Sequence, residues 1–113
     1  MMDAAAQTVR EIDLASEFSP TPLGRHRRQG RFSGEAFRED HLRDALLRHE
    51  LVVVDLDGAS GLSTGFLDEA FAGLVRDHTL TEAEFWRRIR LIATKDPYLV
   101  EEVRRFVKKA AAH

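Results

Sequence analysis

Apolar residues along this chain change their spacing several times, and each change marks a predicted element. The run Leu51-Val52-Val53-Val54-Asp55-Leu56 is almost continuously apolar and β-branched. It is too short for a buried helix, and it predicts a strand covered on both faces, as in a parallel sheet. Beyond it, Phe66, Leu67, Ala70, Phe71, Leu74 and Val75 recur at helical period and predict a helix over about 65–78. A less regular stripe, Ala36, Phe37, Leu42, Ala45 and Leu46, predicts a helix over 34–49 with Ser33 as N-cap and Glu35 in its first turn. Leu99, Val100, Val103, Phe106 and Val107 form the apolar stripe of a last helix. Asp96 is its expected N-cap and Pro97 its first helical residue.

Shorter signals complete the order. Thr81-Glu82-Ala83-Glu84 has capping-box form and starts a short helix. Ile89, Leu91 and Ala93 alternate with Arg88, Arg90 and Ile92, which predicts a third strand, with helix continuing through 86–91 as the competing reading. Ile12 and Leu14 share a face of a first strand over 9–14. Residues 15–33 carry Pro20, Pro22, Gly24 and Gly30 and read as a long loop, with room for a short edge strand near Arg31-Phe32. Strands alternating with helices predict an α/β fold: a small, mostly parallel sheet of three to four strands with about three main helices. The expected organisation is a flexible stretch over 1–8 and one domain over 9–111. In such sheets ligands and partners bind beyond the carboxyl ends of the strands. The turn 57–65 and the loop after Leu14 fall there.

Composition narrows the class without naming a function. The chain has 113 residues, 43% hydrophobic and 32% charged, as a globular protein requires. Seventeen basic and nineteen acidic residues leave a formal charge of −2, which favours neither nucleic acid nor an anionic membrane. Without cysteine there is no disulfide framework and no thiolate metal site. No apolar run approaches membrane-spanning length, and the N-terminus lacks the form of a signal peptide, so the expectation is a cytoplasmic protein.

Candidate chemistry concentrates in the strand-to-helix turn Asp57-Gly58-Ala59-Ser60-Gly61-Leu62-Ser63-Thr64-Gly65. Small and hydroxyl residues there leave backbone N–H groups at a helix start, where an anion or a partner can sit. Ser60, Gly61 and Gly65 are the candidate contacts, with Asp68 and Glu69 one turn on. Asp68 and Glu69 read equally as side chains that complement the helix dipole. A second feature is the basic loop of Arg25, His26, Arg27, Arg28 and Arg31, followed by Arg38. Arginines on a loop suit a phosphate-bearing ligand or an acidic protein patch, and suit solvent equally well. Nucleic acid is the weaker reading, because only Phe32 offers an aromatic platform nearby. The five histidines include no His-x-x-x-His pair, and no phosphate loop ending in Gly-Lys is present. No catalytic residue, metal ligand or cofactor is therefore assigned.

The segments Gly30-Arg31-Phe32-Ser33-Gly34-Glu35-Ala36-Phe37-Arg38, Val53-Val54-Asp55-Leu56-Asp57-Gly58 and Phe66-Leu67-Asp68-Glu69-Ala70-Phe71-Ala72-Gly73-Leu74-Val75-Arg76 together resemble the bacterial STAS-like domains of unknown function, the DUF4325 family. That family is similar to STAS domains, including the anti-sigma-factor antagonists. These bind a kinase of the histidine-kinase ATPase fold and are switched by phosphorylation of a serine at the start of the helix after a central strand. The STAS-like family often carries two hydroxyl residues before the Phe-Leu pair. Thr64 matches the first, and Gly65 stands in place of the second. The resemblance therefore implies a regulatory, non-enzymatic module with Ser63 and Thr64 as candidate switch residues and a histidine-kinase-type ATPase or kinase as partner. Ser63 and Thr64 also read simply as helix caps. The alternative function is a nucleotide- or phosphate-binding domain that uses the same helix start and the basic loop. A homodimer would be reasonable if the edge near Trp86 or the first strand is exposed.

Overall fold

The computed structural model describes residues 8–113. Three strands, β1 (Val9–Asp13), β2 (Leu51–Asp55) and β3 (Ile89–Ile92), form one all-parallel sheet in the order β1-β2-β3. Five helices accompany them. α1 is the short Leu14–Glu17; α2 spans 34–48 and α3 spans 64–76; α4 is Glu82–Arg88 and α5 is Tyr98–Ala111. The α/β fold with a small parallel sheet is the one expected. Of the stretch 1–8 only Thr8 is described, and it is held: its carbonyl accepts from the Glu50 and Leu51 N–H groups.

The sheet has two unlike faces. Ile12, Val52, Val54 and Ile89 point one way and belong to the hydrophobic core with Phe37, Leu42, Phe66, Leu67, Phe71 and Phe85. The alternate set (Val9, Glu11, Asp13, Leu51, Val53, Asp55, Arg90 and Ile92) lies outside that core. Topology gives the reason. Two right-handed crossovers that step in the same direction place every connecting helix on the same side of the sheet. β2 is buried along Val52, Val53 and Val54 as its apolar run implies, although Val53 lies on the face away from the core.

Two of the three long helices, α2 and α3, carry a π-turn. In α2 the Arg43 N–H donates to the Arg38 carbonyl, and in α3 the Gly73 N–H donates to the Asp68 carbonyl, each five residues back. The extra residue in the turn explains the irregular stripe of α2. Phe37 and Leu42 are five apart, yet both are fully buried. The two helices pack closely at Gly34, where an added Cβ would stand 2.7 Å from the Phe66 carbonyl oxygen and 2.9 Å from the Ala70 nitrogen.

Local signals mostly survive. Ser33 and Ser63 cap α2 and α3 through their hydroxyls, to the Ala36 and Phe66 N–H groups. Thr81 and Glu84 form the expected capping box. Three expectations change. Residues 15–33 hold no strand near Phe32, only a single bond from the Leu23 N–H to the Phe32 carbonyl. In its place the segment begins with α1, capped by the Asp13 carboxylate, and contains a 3-10 turn, Arg27–Gln29. One helical turn is too short to display a period. α3 starts at Thr64 and ends at Arg76, with His78 in the left-handed region at φ 65°. α5 starts without a side-chain cap: the Asp96 carbonyl, not its carboxylate, takes the Leu99 N–H.

Candidate functional site

The ends of the three strands and the loops after them are tied into one ridge. The Asp57 carboxylate accepts from the Thr94 hydroxyl (2.6 Å) and from the Lys95 N–H (3.0 Å), joining the loop after β2 to the loop after β3. Those two bonds, the hydroxyl's foremost, hold the Asp57 carboxyl below the usual aspartate range. The Asp57 N–H in turn donates to the Asp55 carboxylate at 2.9 Å, and a tight turn closes from the Ala59 N–H to the Leu56 carbonyl. The Ser60 N–H donates to the Pro20 carbonyl, which joins this turn to the loop after β1. Gly61 adopts φ 66°, a conformation open to glycine at little cost. Gly58, Ser60, Gly61 and Thr64 are exposed along this ridge, while Ser63 is half-buried with its hydroxyl engaged as the cap of α3.

Arg25 crosses the start of α3. Its stem lies over Gly65, where an added Cβ would meet the Arg25 Cγ at 3.1 Å, and its guanidinium donates to Asp68 at 2.7 Å. Arg76 donates to the other oxygen of Asp68 at 3.1 Å. Gly65, which stands where a second hydroxyl was considered, is thus the floor on which Arg25 rests. Glu69 is held by Arg38, with Arg76 further off at 3.8 Å. Arg38, 9% exposed as a residue, donates through its guanidinium to the Glu69 carboxylate (2.8 Å), the Glu69 carbonyl and the Glu39 carboxylate (3.0 Å). Burial alone would lower its pKa; the bonds to Glu69 and Glu39 outweigh burial and leave it raised. Arg43 continues the chain of alternating charges to Glu39, Asp77 and Thr79.

The basic loop is therefore not one cationic patch. Backbone bonds from Gly34 to Gly24 and from Glu35 to Arg25 pin it against α2. Arg27 forms a two-pronged pair with Asp40 and holds that carboxyl below its ordinary range. Arg28 and Arg31 are exposed and make no ion pair among the described residues; Arg31 lies 5.3 Å from the Phe32 ring centre. Of the residues singled out from the sequence, the structure brings Arg25, Gly65 and Asp68 into direct contact. It puts Ser60 and Gly61 on the neighbouring ridge and leaves Arg27, Arg28 and Arg31 apart.

Sequence reasoning missed Arg76, Arg105, Phe106 and Lys109. With Arg25 and Asp68 they line a cleft of about 470 Å³ between the loop, α3 and α5. The cations near the end of α5 suit the helix dipole and so need no partner locally. Their spacing from Arg105 to Lys109 places them on one face, but that this face meets Arg25 and Arg76 depends on how α3 and α5 pack.

The class of the fold is α/β: a parallel three-stranded sheet with a capped helix rising from the loop after its central strand. The family model of the STAS-like domain of unknown function (DUF4325) matches residues 33–99, more than half of the chain, and the chain belongs to that family. No curated protein and no solved structure matches it. No helix among the described residues is long and apolar enough to cross a membrane.

Proposed function

We propose that this chain is a regulatory, non-enzymatic module that docks a partner protein through the ridge at the carboxyl ends of its strands. The observation that carries this reading is the cross-linking of that ridge. Asp57 ties two loops together, and Ser60 ties in the third, while their outer surface stays exposed. A rigid, exposed loop surface loses little entropy when a partner binds it. The docking surface comprises Ser60, Gly61, the start of α3 and the adjoining loop from Arg25 to Arg31.

Thr64 is the switch residue in this reading. Ser63 has its hydroxyl committed to the Phe66 N–H, whereas Thr64 is exposed at the first position of α3. A phosphate there would add nearly two negative charges beside the α3 N-terminus, and it would compete with Asp68 for the Arg25 guanidinium. Asp68 and Glu69 would repel it, so the phosphorylated surface would differ in charge and in the position of Arg25. The partner that the STAS resemblance favours is a histidine-kinase-type ATPase or kinase.

The test uses a purified partner of that type. Intact-mass measurement after incubation with ATP should show one added phosphate, and Thr64→Ala should remove it. Binding should weaken when Ser60 or Gly61 is replaced by a bulky charged residue. The reading fails if no phosphorylated form appears and if neither Thr64→Ala nor Gly61→Glu changes partner binding.

A further inference from the structure

The cleft between the loop, α3 and α5 gathers cations in a chain whose formal total is negative. Arg25 comes from the loop, Arg76 from the end of α3, and Arg105 and Lys109 from successive turns of α5. One carboxylate, Asp68, stands among them and is shared by Arg25 and Arg76. Arg105 has Glu102 only at 3.7 Å, and Lys109 makes no ion pair among the described residues. The lining thus carries four cationic side chains and one side-chain carboxylate, with Glu69 3.8 Å from Arg76 at its border, in a chain whose formal total is −2. Phe106 and Ala110 supply an apolar wall. The volume, about 470 Å³, lies within the usual range of small-molecule sites.

We propose that this cleft binds a small organic molecule carrying two or more phosphate groups. The arginines are preorganised for it. Asp68 holds Arg25 and Arg76 side by side, and Gly65 keeps Arg25 low across the start of α3, so outward N–H groups remain to donate to phosphate oxygens. Lys109 adds a point charge, and the face of Phe106 offers a surface to the organic part of the ligand. A nucleic acid backbone fits less well. Its charges repeat over a long track, whereas Asp40, Asp77 and Glu101 lie on the surface outside the cleft. The proposal shares Arg25 with the docking surface but does not rest on the switch at Thr64: Arg76, Arg105, Phe106 and Lys109 take no part in partner docking as described above.

Isothermal titration with ATP, inorganic pyrophosphate and inorganic phosphate, at low and at physiological salt, tests it. The expected result is saturable binding of ATP and pyrophosphate, weaker binding of phosphate, and loss of affinity as salt rises. The double variant R105E/K109E should weaken ATP and pyrophosphate by about tenfold or more, since two attractive contacts become repulsive. Both side chains are exposed, so the fold is retained, as circular dichroism would verify. R28E/R31E, which changes the same charge outside the cleft, should bind as the unmodified protein does. The proposal is overturned by the absence of saturable binding for both polyphosphates, by phosphate binding as tightly as pyrophosphate, by unchanged affinity in R105E/K109E, or by an equal loss in R28E/R31E.

Discussion

Replacing Arg38 should be the most damaging single change among the charged residues of this fold. Its side chain joins the two π-turns: it belongs to that of α2 and donates to both the carbonyl and the carboxylate of Glu69 in that of α3. Arg38→Met keeps much of the volume and removes every donor. The Glu69 side chain, 14% exposed, then keeps only Arg76, at 3.8 Å, as a counter-charge, and its carbonyl loses the Arg38 donor. Breaking a buried pair from one side costs roughly 3–5 kcal/mol, and an unsatisfied carbonyl about 1–3. Residual access of water to Glu69 and the methionine packing reduce the sum, so we expect a loss of about 3 kcal/mol. In a chain of this length that lowers the thermal midpoint by about 12 °C and the urea midpoint by about 2 M. Urea titration followed by circular dichroism measures it. Glu69→Gln supplies the second edge of a double-mutant cycle: with the charge gone, Arg38→Met/Glu69→Gln should recover about 1 kcal/mol relative to Arg38→Met alone. A loss below about 1 kcal/mol in Arg38→Met, or a double variant less stable than the single one, would refute the argument that the poorly compensated Glu69 charge is the cause.

Three further outcomes follow from the packing and the loops. Gly34→Ala should destabilise by about 2 kcal/mol in the same titration, because its Cβ would meet backbone atoms of α3 that cannot give way singly. His78→Gly should stabilise by about 0.5–1 kcal/mol, since the left-handed conformation after α3 costs a side chain that glycine lacks. The Asp57 carboxyl has its folded-state pKa lowered by Thr94 and Lys95, so its stabilising contribution is complete above the ordinary aspartate value of 3.8 and is lost as pH falls through the lowered folded value. Acid titration of the unfolding free energy should therefore be less steep in Asp57→Asn below about pH 4, and an identical slope would count against the loop-to-loop bond.

How far the sequence discloses this molecule depends on the range of the interactions involved. β2 and the capping box at Thr81 are legible because their signals are complete within a few residues. The π-turn of α2 leaves a trace, the gap of five from Phe37 to Leu42, but an uneven stripe has many causes and only the hydrogen bond from Arg43 to Arg38 identifies this one. Arg25, Arg27, Arg28 and Arg31 look like one patch because they are close in sequence. The 3-10 turn at Arg27–Gln29 and the pinning of the loop to α2 send Arg25 to α3 and Arg27 to Asp40, which no local pattern encodes. The cleft illustrates the opposite error. Arg76 and Arg105 are far apart in sequence and each has an adequate local explanation, so their convergence emerges only from packing.

The same topology that hides the cleft from sequence also fixes where it can be. A sheet in the order β1-β2-β3 with its helices on one side has two distinct places to put charge: the open sheet face and the helical layer. On the open face Asp13 and Asp55 stand opposite each other across the β1–β2 ladder, and neither makes an ion pair among the described residues. Like charges in register are unfavourable, so that face is acidic at a cost to stability. In the helical layer, acids and arginines alternate from Asp77 through Arg38 to Glu69, and the excess of cations appears where α3 and α5 meet Arg25. The formal charge of the whole chain thus conceals local concentrations of both signs, acidic at Asp13 and Asp55 and cationic at the cleft. A polyanionic ligand approaching this molecule is repelled by one face and attracted by the other, so the orientation of its encounter is already biased before any hydrogen bond forms.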